Sequence, residues 1–232
     1  ESGVTSSRVV QAVKKKFQFK KVGHLGTLDP MATGLLILAI NRGTKFSSLL
    51  LESHKTYAAE VTLGIQTDTD DAEGEHILSK VITCSDEEAR RKLLSFLGSS
   101  MQQPPIYSAL KVQGKPMYKY AREGIKVEKA ARAIEIKTIE NISINLPKIS
   151  FEVSCSKGTY IRSIARDLGE LLDCGGHLSA LKRLTQQEFL IKNAKKIDEI
   201  TELDIIPLEK AFNHLGSVNL PEEKLKKFIN GS

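Results

Sequence analysis

Three segments in the middle of the chain alternate apolar and polar residues with a period of two. They are residues 134–136, 142–144 and 149–155, in which every second position is Ile, Phe, Val or Cys. Such alternation is typical of strands that have one buried and one solvated face. A helical stripe of apolar residues follows at 161–172. Because strands and helices are interspersed without a regular βαβ rhythm, we predict an α+β fold.

Four other segments have a clear pattern. A Thr-Ser-Ser cap precedes a helical face over residues 9–17, which predicts a first helix. Residues 57–63 alternate like a strand, and residues 65–75 are typical of an acidic, solvated loop. Residues 35–40 are apolar without interruption, which indicates a strand covered on both faces. We therefore expect the segment just before residue 35 to enter a central strand.

The composition excludes several classes of protein. The chain has 232 residues, of which 41% are hydrophobic and 27% charged, as in ordinary globular proteins. No run approaches the roughly 18 consecutive apolar residues that a membrane-spanning helix needs, so we expect a cytoplasmic protein without a membrane partner. Cys84, Cys155 and Cys174 are odd in number and unpaired in spacing, which argues against a disulfide framework or a zinc site.

The positive charge is concentrated in two segments. Residues 14–21 hold five lysines and no acid, and residues 104–132 hold seven basic residues and two acids. A lysine run alone is usually a solvated surface. The second segment differs because Tyr107, Tyr118 and Tyr120 lie among its cations. Cations beside aromatic rings suit the phosphates and exposed bases of RNA better than a membrane surface or an acidic protein.

The stretch GHLGTLDPMATGLL, residues 23–36, places one carboxylate on a glycine-flanked turn. Pro30 disfavours helical dihedrals at Asp29, so the carboxylate is held on an extended backbone. An aspartate in such a turn is more often a turn former, but this one could also serve as a covalent nucleophile. That role needs an ionised carboxylate and hence a nearby cation, for which Arg162 in the first turn of the later helix is the candidate.

Six motifs, in order, resemble the TruB family of tRNA pseudouridine synthases, which isomerise uridine 55 in the T loop of transfer RNA. The likeness extends from residue 3 to about residue 184. The motifs are GHLGTLDPMATGLL (23–36), GTKF (43–46), KTY (55–57), TDTDDAEG (67–74), PPIYSALKVQGKPMYKYAREG (104–124) and CSKGTYIRSIARDLG (155–169). The resemblance implies a pseudouridine synthase fold, with a mixed, mostly antiparallel sheet flanked by helices and an RNA-binding insertion at about 102–126.

The resemblance also implies catalytic roles. Asp29 matches the nucleophile, Tyr57 matches the ring that stacks on the flipped uracil, and Arg162 matches the cation that holds the aspartate. The reaction would use no cofactor and no metal. A first attack on the ribose C1′ and one on the uracil C6 are both compatible with the motif.

Nine further residues are expected to contact the substrate or support the site. His24 matches the side chain that replaces the extruded base in the RNA stack, while Tyr160 and Leu181 match residues lining the uracil pocket. Lys45 and Asp71 match an ionic network around the site. The remaining four lie in the insertion and are expected to bind RNA: Lys111, Lys115, Tyr118 and Arg122.

The same resemblance sets expectations for domains and partners. Residues 1–215 are expected to form the catalytic domain, and residues 216–232 the start of a truncated or partly unseen C-terminal RNA-binding domain. Family members usually begin with a strand carrying a Lys-Pro pair, which is missing before Gly3. The expected partner is the T arm and loop of tRNA, bound by a monomer that requires no protein partner.

Two functions of other classes are open on the sequence alone. A non-catalytic RNA-binding or tRNA-folding protein would explain the charge pattern, although the intact Asp29 weighs against it. A magnesium-dependent transferase could use Asp68, Asp70 and Asp71, since neighbouring carboxylates can hold a hard cation. Short acidic motifs are weakly specific for such a site.

Overall fold

Strands predominate in the described part of the chain. The computed structural model describes residues 2–51, 53–125, 127, 129–216 and 218–230. The strands are β1 (Val22–His24), β2 (Thr33–Gly34), β3 (Leu38–Ile40), β4 (Lys55–Leu63), β5 (Ile65–Thr67), β6 (His76–Ser79), β7 (Gly98–Gln102), β8 (Lys111–Val112), β9 (Lys115–Pro116), β10 (Arg132–Asn145), β11 (Lys148–Cys155), β12 (Gly176–Gln186) and β13 (Phe189–Leu190). The α-helices are α1 (Ser6–Phe17), α2 (Ser47–Leu51), α3 (Asp86–Leu94), α4 (Met117–Arg122), α5 (Ile161–Leu171), α6 (Leu208–Ala211) and α7 (Glu222–Ile229). Short 3-10 helices occupy Asn41–Phe46, Ile191–Asn193, Glu202–Asp204 and Asn213–Leu215.

Seven of the described strands form one large sheet. Its order is β13-β12-β4-β11-β10-β7, with every neighbouring pair antiparallel, and β2 joins β12 as a short parallel strand. Three two-stranded sheets, β1-β3, β5-β6 and β8-β9, surround it. The predicted α+β fold with a mixed, mostly antiparallel sheet is therefore confirmed.

The core lies on the face of the sheet that alternation predicts. Burial along β4 alternates at every residue, and β11 buries its own odd-numbered residues beside it. The stripe predicted at 161–172 forms α5, whose buried face packs on β12 and β4, while α3 packs on β10. The first helix is also confirmed, because the Thr5 side chain accepts a hydrogen bond from Arg8 N and caps α1.

The apolar run at 35–40 is not a central strand. Only Leu38–Ile40 is extended, and it pairs with β1 in a two-stranded sheet. The preceding Thr33 and Gly34 pair with β12 instead, and Leu35 N donates to Arg183 O at 2.9 Å. The chain then turns away from the large sheet. Asp29 therefore precedes a two-residue parallel strand beside β12, and the apolar run covers that junction.

Three other segments differ from expectation. The separate strands predicted at 134–136 and 142–144 are parts of β10, which register shifts interrupt. The predicted acidic loop begins with β5, which pairs with β6. Strand β12 was not predicted. Its register against β4 shifts twice, and these shifts break the period of two that would have revealed it.

The chain divides into two units, Glu1–Ala194 and Lys195–Ser232. The first contains the large sheet and every predicted site residue, and the second contains α6 and α7. The boundary predicted after residue 215 falls within the second unit and stays a prediction. Parts of the predicted domains and insertion lie outside the described residues, namely Glu1, Glu52, Lys126, Glu128, Ser217, Gly231 and Ser232. Among the described helices, none combines the length and apolar character that crossing a membrane requires.

Candidate active site

Asp29 lies in the turn between β1 and β2, where a guanidinium from α5 reaches it. Arg162 Nε is 2.9 Å from Asp29 Oδ2, and Arg162 Nη2 donates a hydrogen bond to Asp29 Oδ1 at 3.2 Å. The Asp29 side chain is 31% exposed, whereas that of Arg162 is only 6% exposed. The carboxylate is therefore accessible to a reactant, and the cation that holds it is buried behind it.

Three neighbouring influences act on the pKa of Asp29 and together raise it above its ordinary value. Burial raises the pKa of Asp29, the Arg162 guanidinium lowers it, and the neighbouring Asp71 carboxylate raises it further. A poorly solvated carboxylate without such a cation would take up a proton. Arg162 thus favours the anionic form that a nucleophile needs.

Arg162 is fixed by contacts from two further segments. Its Nη1 donates to Thr69 O at 3.1 Å and lies 3.5 Å from Asp71 Oδ2. Its Nη2 also donates to Tyr107 O at 3.0 Å, at the base of the predicted insertion. The guanidinium therefore joins the Asp29 turn, the acidic turn and the insertion.

The acidic turn at 68–75 is not the solvated loop that its composition predicts. The Asp71 side chain is 6% exposed, and its Oδ1 accepts from Thr69 Oγ1 at 2.6 Å and from Glu73 N at 3.1 Å. Asp70 is also buried and pairs with Arg166 at 3.1 Å. The expectation of a solvated loop is wrong because both carboxylates have arginine partners on α5.

These pairs also bear on the magnesium alternative. Asp70 and Asp71 each point to a different arginine, so their oxygens do not converge. Among the residues that the structure describes, no group of three or more His, Cys, Asp or Glu side chains could hold a metal ion. The acidic turn serves instead to anchor α5.

A buried arginine on β12 holds both ends of the Asp29 segment. Arg183 is 1% exposed, and its side chain donates to Leu35 O at 2.7 Å and to Gly26 O at 3.2 Å. It also neighbours Tyr57, the residue opposite it on β4. Burial raises the pKa of the Tyr57 phenol to about 12, although the Arg183 guanidinium lowers it. Tyr57 is thus a neutral ring at physiological pH, and Arg183 connects it to the Asp29 segment.

Sequence reasoning missed Arg183. Its partners are carbonyl groups 148 and 157 residues away, so the local sequence around it gives no sign of them. One signal in the sequence could have found it. Arg183 lies two residues after Leu181, and if this segment is a strand of the core, the strand must bury a cation.

Comparison with known proteins identifies the family. Residues 14–161 match the family described as TruB family pseudouridylate synthase (N terminal domain). The chain belongs to this family. Relatives named tRNA pseudouridine synthase B, from Alkaliphilus oremlandii and Aromatoleum aromaticum, are 43% and 44% identical over 235 and 234 aligned positions. Both alignments cover 99% of this chain, and they cover 79% and 75% of the two relatives. The resemblance found in the sequence motifs is therefore confirmed.

Solved structures give the same result for the fold. A chain in the crystal structure of a Cbf5-Nop10-Gar1 complex superposes with a TM-score of 0.70 at 27% identity, over 92% of this chain and 60% of that one. A chain in the structure of an H/ACA RNP bound to a substrate RNA containing 2′-deoxyuridine has a TM-score of 0.66 at 25% identity, over 92% of this chain and 58% of that one. The pseudouridine synthase fold is confirmed, and this chain spans about three fifths of the length of these two structures.

Within the TruB-family domain, His24 and the two predicted pocket residues, Tyr160 and Leu181, lie on elements that contribute to or adjoin this cluster. His24 ends β1 and is half-buried, with no partner for Nδ1 among the described atoms. Burial and the Arg183 charge both lower the pKa of His24, so its ring is neutral. Leu181 is 9% exposed and belongs to the same apolar core as Tyr57. Tyr160 directly precedes α5, and the Arg132 guanidinium lies 4.7 Å from its ring centroid.

Lys45 is not brought into this cluster. It lies exposed on the 3-10 helix Asn41–Phe46 and makes no ion pair or hydrogen bond with Asp29 or Asp71. The ionic network expected from the TruB motifs therefore joins Asp29, Arg162 and Asp71 but leaves out this lysine. The roles of all the predicted residues stay predictions.

The insertion places its predicted RNA-binding residues on a hairpin and a short helix. Lys111 lies on β8, Lys115 lies on β9, and Tyr118 and Arg122 lie on α4. Lys115 pairs with Glu123, while the Arg122 guanidinium lies 5.6 Å from the Tyr118 ring centroid. Lys111 and Arg122 are exposed. Cations and rings thus share this outer part of the insertion, as the composition suggests.

Proposed function

We propose that this chain converts uridine 55 in the T loop of tRNA to pseudouridine, with Asp29 as the nucleophile. The names of the TruB-family relatives support a tRNA uridine isomerase. The observation that carries the assignment of Asp29 is its geometry, a 31% exposed carboxylate held at 2.9 Å by a guanidinium that is 6% exposed. Of the described carboxylates that pair with Arg162, Asp29 is the one whose side chain is substantially exposed to solvent.

The reaction rearranges atoms within one nucleotide. The bond from uracil N1 to ribose C1′ breaks, an Asp29 oxygen forms a temporary bond to the nucleoside, and the detached uracil turns. A bond from C5 to C1′ then forms, Asp29 is released, C5 loses its proton and N1 gains one. Atoms and electrons balance without an oxidant, a reductant or a second substrate, so the chemistry needs no cofactor.

Two neutral rings fit the handling of a base in this scheme. Tyr57 offers a ring with a protonated hydroxyl, because its pKa is about 12, and the base would stack on it. Flipping a base out of its stack costs a few kcal/mol, which stacking and contacts from the insertion would offset. The His24 ring is neutral, so no unpaired charge is buried when the ring enters the RNA stack in place of the base.

The proposal also covers the RNA partner, the oligomeric state and the cellular location. The substrate is the T arm and loop of tRNA, the enzyme works as a monomer without a protein partner, and it acts in the cytoplasm. The basic outer part of the insertion would grip phosphates, so RNA binding should weaken as salt rises. Light scattering of the purified protein at micromolar concentration tests the monomer, and a dimer mass would contradict it.

A turnover assay on a T-arm stem-loop RNA tests the proposed reaction. Wild-type protein should convert the uridine that corresponds to position 55, and a stem-loop with cytidine at that position should give no product. Asp29→Asn should abolish conversion while still binding the RNA. The matched control is Asp86→Asn, at an exposed position in the first turn of α3, which should retain full conversion. Binding without conversion by the wild type would favour the non-catalytic RNA-binding alternative.

A further inference from the structure

Helix α5 carries a second arginine one turn beyond Arg162. Arg166 Nη1 lies 3.1 Å from Asp70 Oδ2, and its Nη2 donates to Gln103 O at 3.1 Å. Arg162 makes the corresponding contacts one turn earlier, to Thr69 and Asp71 in the acidic turn and to the insertion. Both guanidinium groups thus link the same two segments to α5, but only Arg162 reaches Asp29.

The segment that Arg166 grips is the root of the insertion, residues 102–108. Gln103 O also accepts a hydrogen bond from Ser163 Oγ at 2.9 Å. The Gln102 side chain donates to Tyr160 O at 3.0 Å and accepts from Tyr160 N at 2.8 Å. Polar contacts from the start of α5 therefore hold the root at successive positions.

Apolar side chains of the insertion also lie beside Arg166. A cavity of about 350 Å³ lies beside Arg166, lined in part by Pro104, Ile106 and Met117 of the insertion. Met117 is nevertheless buried, so apolar packing and polar contacts both hold the insertion at this junction. The Arg166 side chain is 15% exposed and the Asp70 side chain 10% exposed, so this ion pair is little weakened by water.

We infer that Arg166, with Asp70, is a positioning residue that holds the root of the insertion against α5 and so places the outer part of the insertion for RNA binding. This inference rests on the proposed function, because the insertion is taken as the part that grips tRNA. Arg166 touches neither Asp29 nor any group proposed to react. Loss of Arg166 is expected to weaken RNA affinity, because it loosens the root of the insertion. The geometry at Asp29 is kept by Arg162, Thr69 and Asp71.

Steady-state kinetics of Arg166→Gln on the stem-loop RNA test the inference. Loss of the ion pair and of the bond to Gln103 O should raise KM and the directly measured Kd by about tenfold, equivalent to about 1.4 kcal/mol. The value of kcat should stay within about threefold of wild type, because Arg166 makes no contact that changes in the transition state. A purely structural role would lower the melting temperature and leave KM and Kd of the folded protein unchanged.

Two companion variants keep the test decisive. Asp70→Asn should raise KM by a smaller factor, because it removes only the pair that holds Arg166, and the double variant Arg166→Gln/Asp70→Asn should be no worse than Arg166→Gln, which already lacks that pair. Glu170→Gln is the matched control, since this exposed carboxylate is 4.0 Å from Arg166 Nε and forms no ion pair with the described residues of the insertion. It should behave as wild type. If Arg166→Gln does not fold, Arg166→Lys, which keeps the charge but replaces the two Nη groups with a single ammonium, should show a smaller rise in KM.

Hydrogen exchange gives a readout that needs no RNA. In Arg166→Gln the amides of Gln103, Ile106, Tyr107 and Ser108, the residues of the segment 103–108 that carry an N–H, should exchange faster than in wild type, while those of β4 should not change. Unaltered exchange at 103–108 together with KM and Kd within twofold of wild type would overturn the inference. Inactivity of the wild type would instead count against the proposed function, and the exchange result would still decide the role of Arg166.

Discussion

The root of the insertion and its outer part are held by different kinds of contact. The root, residues 102–108, is fastened by side chains of α5, including the Arg162 that holds Asp29. The outer part, residues 111–122, is stabilised mainly by its own hairpin, by the Lys115–Glu123 pair and by bonds to its own root, such as that from Tyr118 N to Ser108 O. Loss of Arg162, which contacts both the root and Asp29, should therefore affect the reacting group, whereas substitutions in the outer part should affect RNA binding alone.

The largest effect is expected at the centre of the root contacts. Arg162→Gln should lower kcat by about 10³-fold, because the partly buried Asp29 loses the cation that favours its ionised form. Burial then raises the pKa of Asp29 unopposed, so the acid limb of the pH profile should move to higher pH and raising the pH should restore part of the rate. Single-turnover rates from pH 5 to 9 measure this. The exposed Arg8→Gln is the control, and a kcat within tenfold of wild type would refute the expectation.

The second effect concerns stability of the segment that carries Asp29. Arg183→Gln should lower the free energy of unfolding by about 3 kcal/mol, because Gly26 O and Leu35 O lose a charged donor in a buried site. Urea denaturation measures the change. Lys182→Gln, one residue earlier on β12 and exposed, is the matched control and should change stability by less than about 0.5 kcal/mol. Equal stability of the two variants would contradict the role given to Arg183.

The third effect is a pH dependence of stability from Asp70. Burial raises the pKa of Asp70 to about 6, although Arg166 and Arg162 lower it. The folded state therefore binds this proton more tightly than the unfolded state, in which the pKa is about 4. The associated stability is present below about pH 4 and is lost as pH rises through about 6.

The Asp70→Asn variant isolates this contribution. Its free energy of unfolding relative to wild type should rise by about 1–3 kcal/mol between pH 4 and pH 7, because asparagine has no proton to lose. Denaturation at a series of pH values measures it. A difference between the two proteins that is constant with pH would contradict the raised pKa. Such a result would also mean that the pair with Arg166 stabilises the ion as much as burial destabilises it.

The smallest effect is expected in the outer part of the insertion. Arg122→Gln should raise KM several-fold and reduce the salt dependence of log Kd by about one unit if the side chain contacts one phosphate. Stability should change by less than about 0.5 kcal/mol, since the residue is exposed. Binding titrations at several salt concentrations measure the slope. Lys137→Gln, exposed on β10, is the control, and an unchanged slope for Arg122→Gln would exclude a phosphate contact at that position.

Regular local patterns were sufficient for much of the fold. Strand β4 and helix α5 were predicted because each keeps one period over its whole length, so burial follows the pattern residue by residue. The proximity of Asp29 to Arg162 was also predicted, from the need of a buried anion for a cation and from the TruB motifs. Their contact joins residues 133 positions apart, which no local pattern contains.

The features that were missed depend on long-range partners or on irregular pairing. Strand β12 escaped prediction because its register shifts against β4 displace the alternation. Asp70 was taken as solvated because its partner, Arg166, lies 96 residues further along the chain. The run at 35–40 was misassigned because burial of an apolar segment can come from a small flanking sheet as well as from a central one.

Gly34 has a consequence for how the substrate must behave. Its φ is +104°, and a Cβ atom there would lie 2.3 Å from Arg183 O, so only glycine lets β2 approach β12 this closely. This contact, with the Arg183 bonds to Gly26 and Leu35, sets the spacing between the Asp29 turn and the strand bearing Tyr57. The distortion needed to bring a nucleoside between them must then fall mainly on the RNA. Substrates whose target nucleotide is already loosely stacked should react fastest. The flexibility of each RNA would then decide which RNAs the enzyme selects.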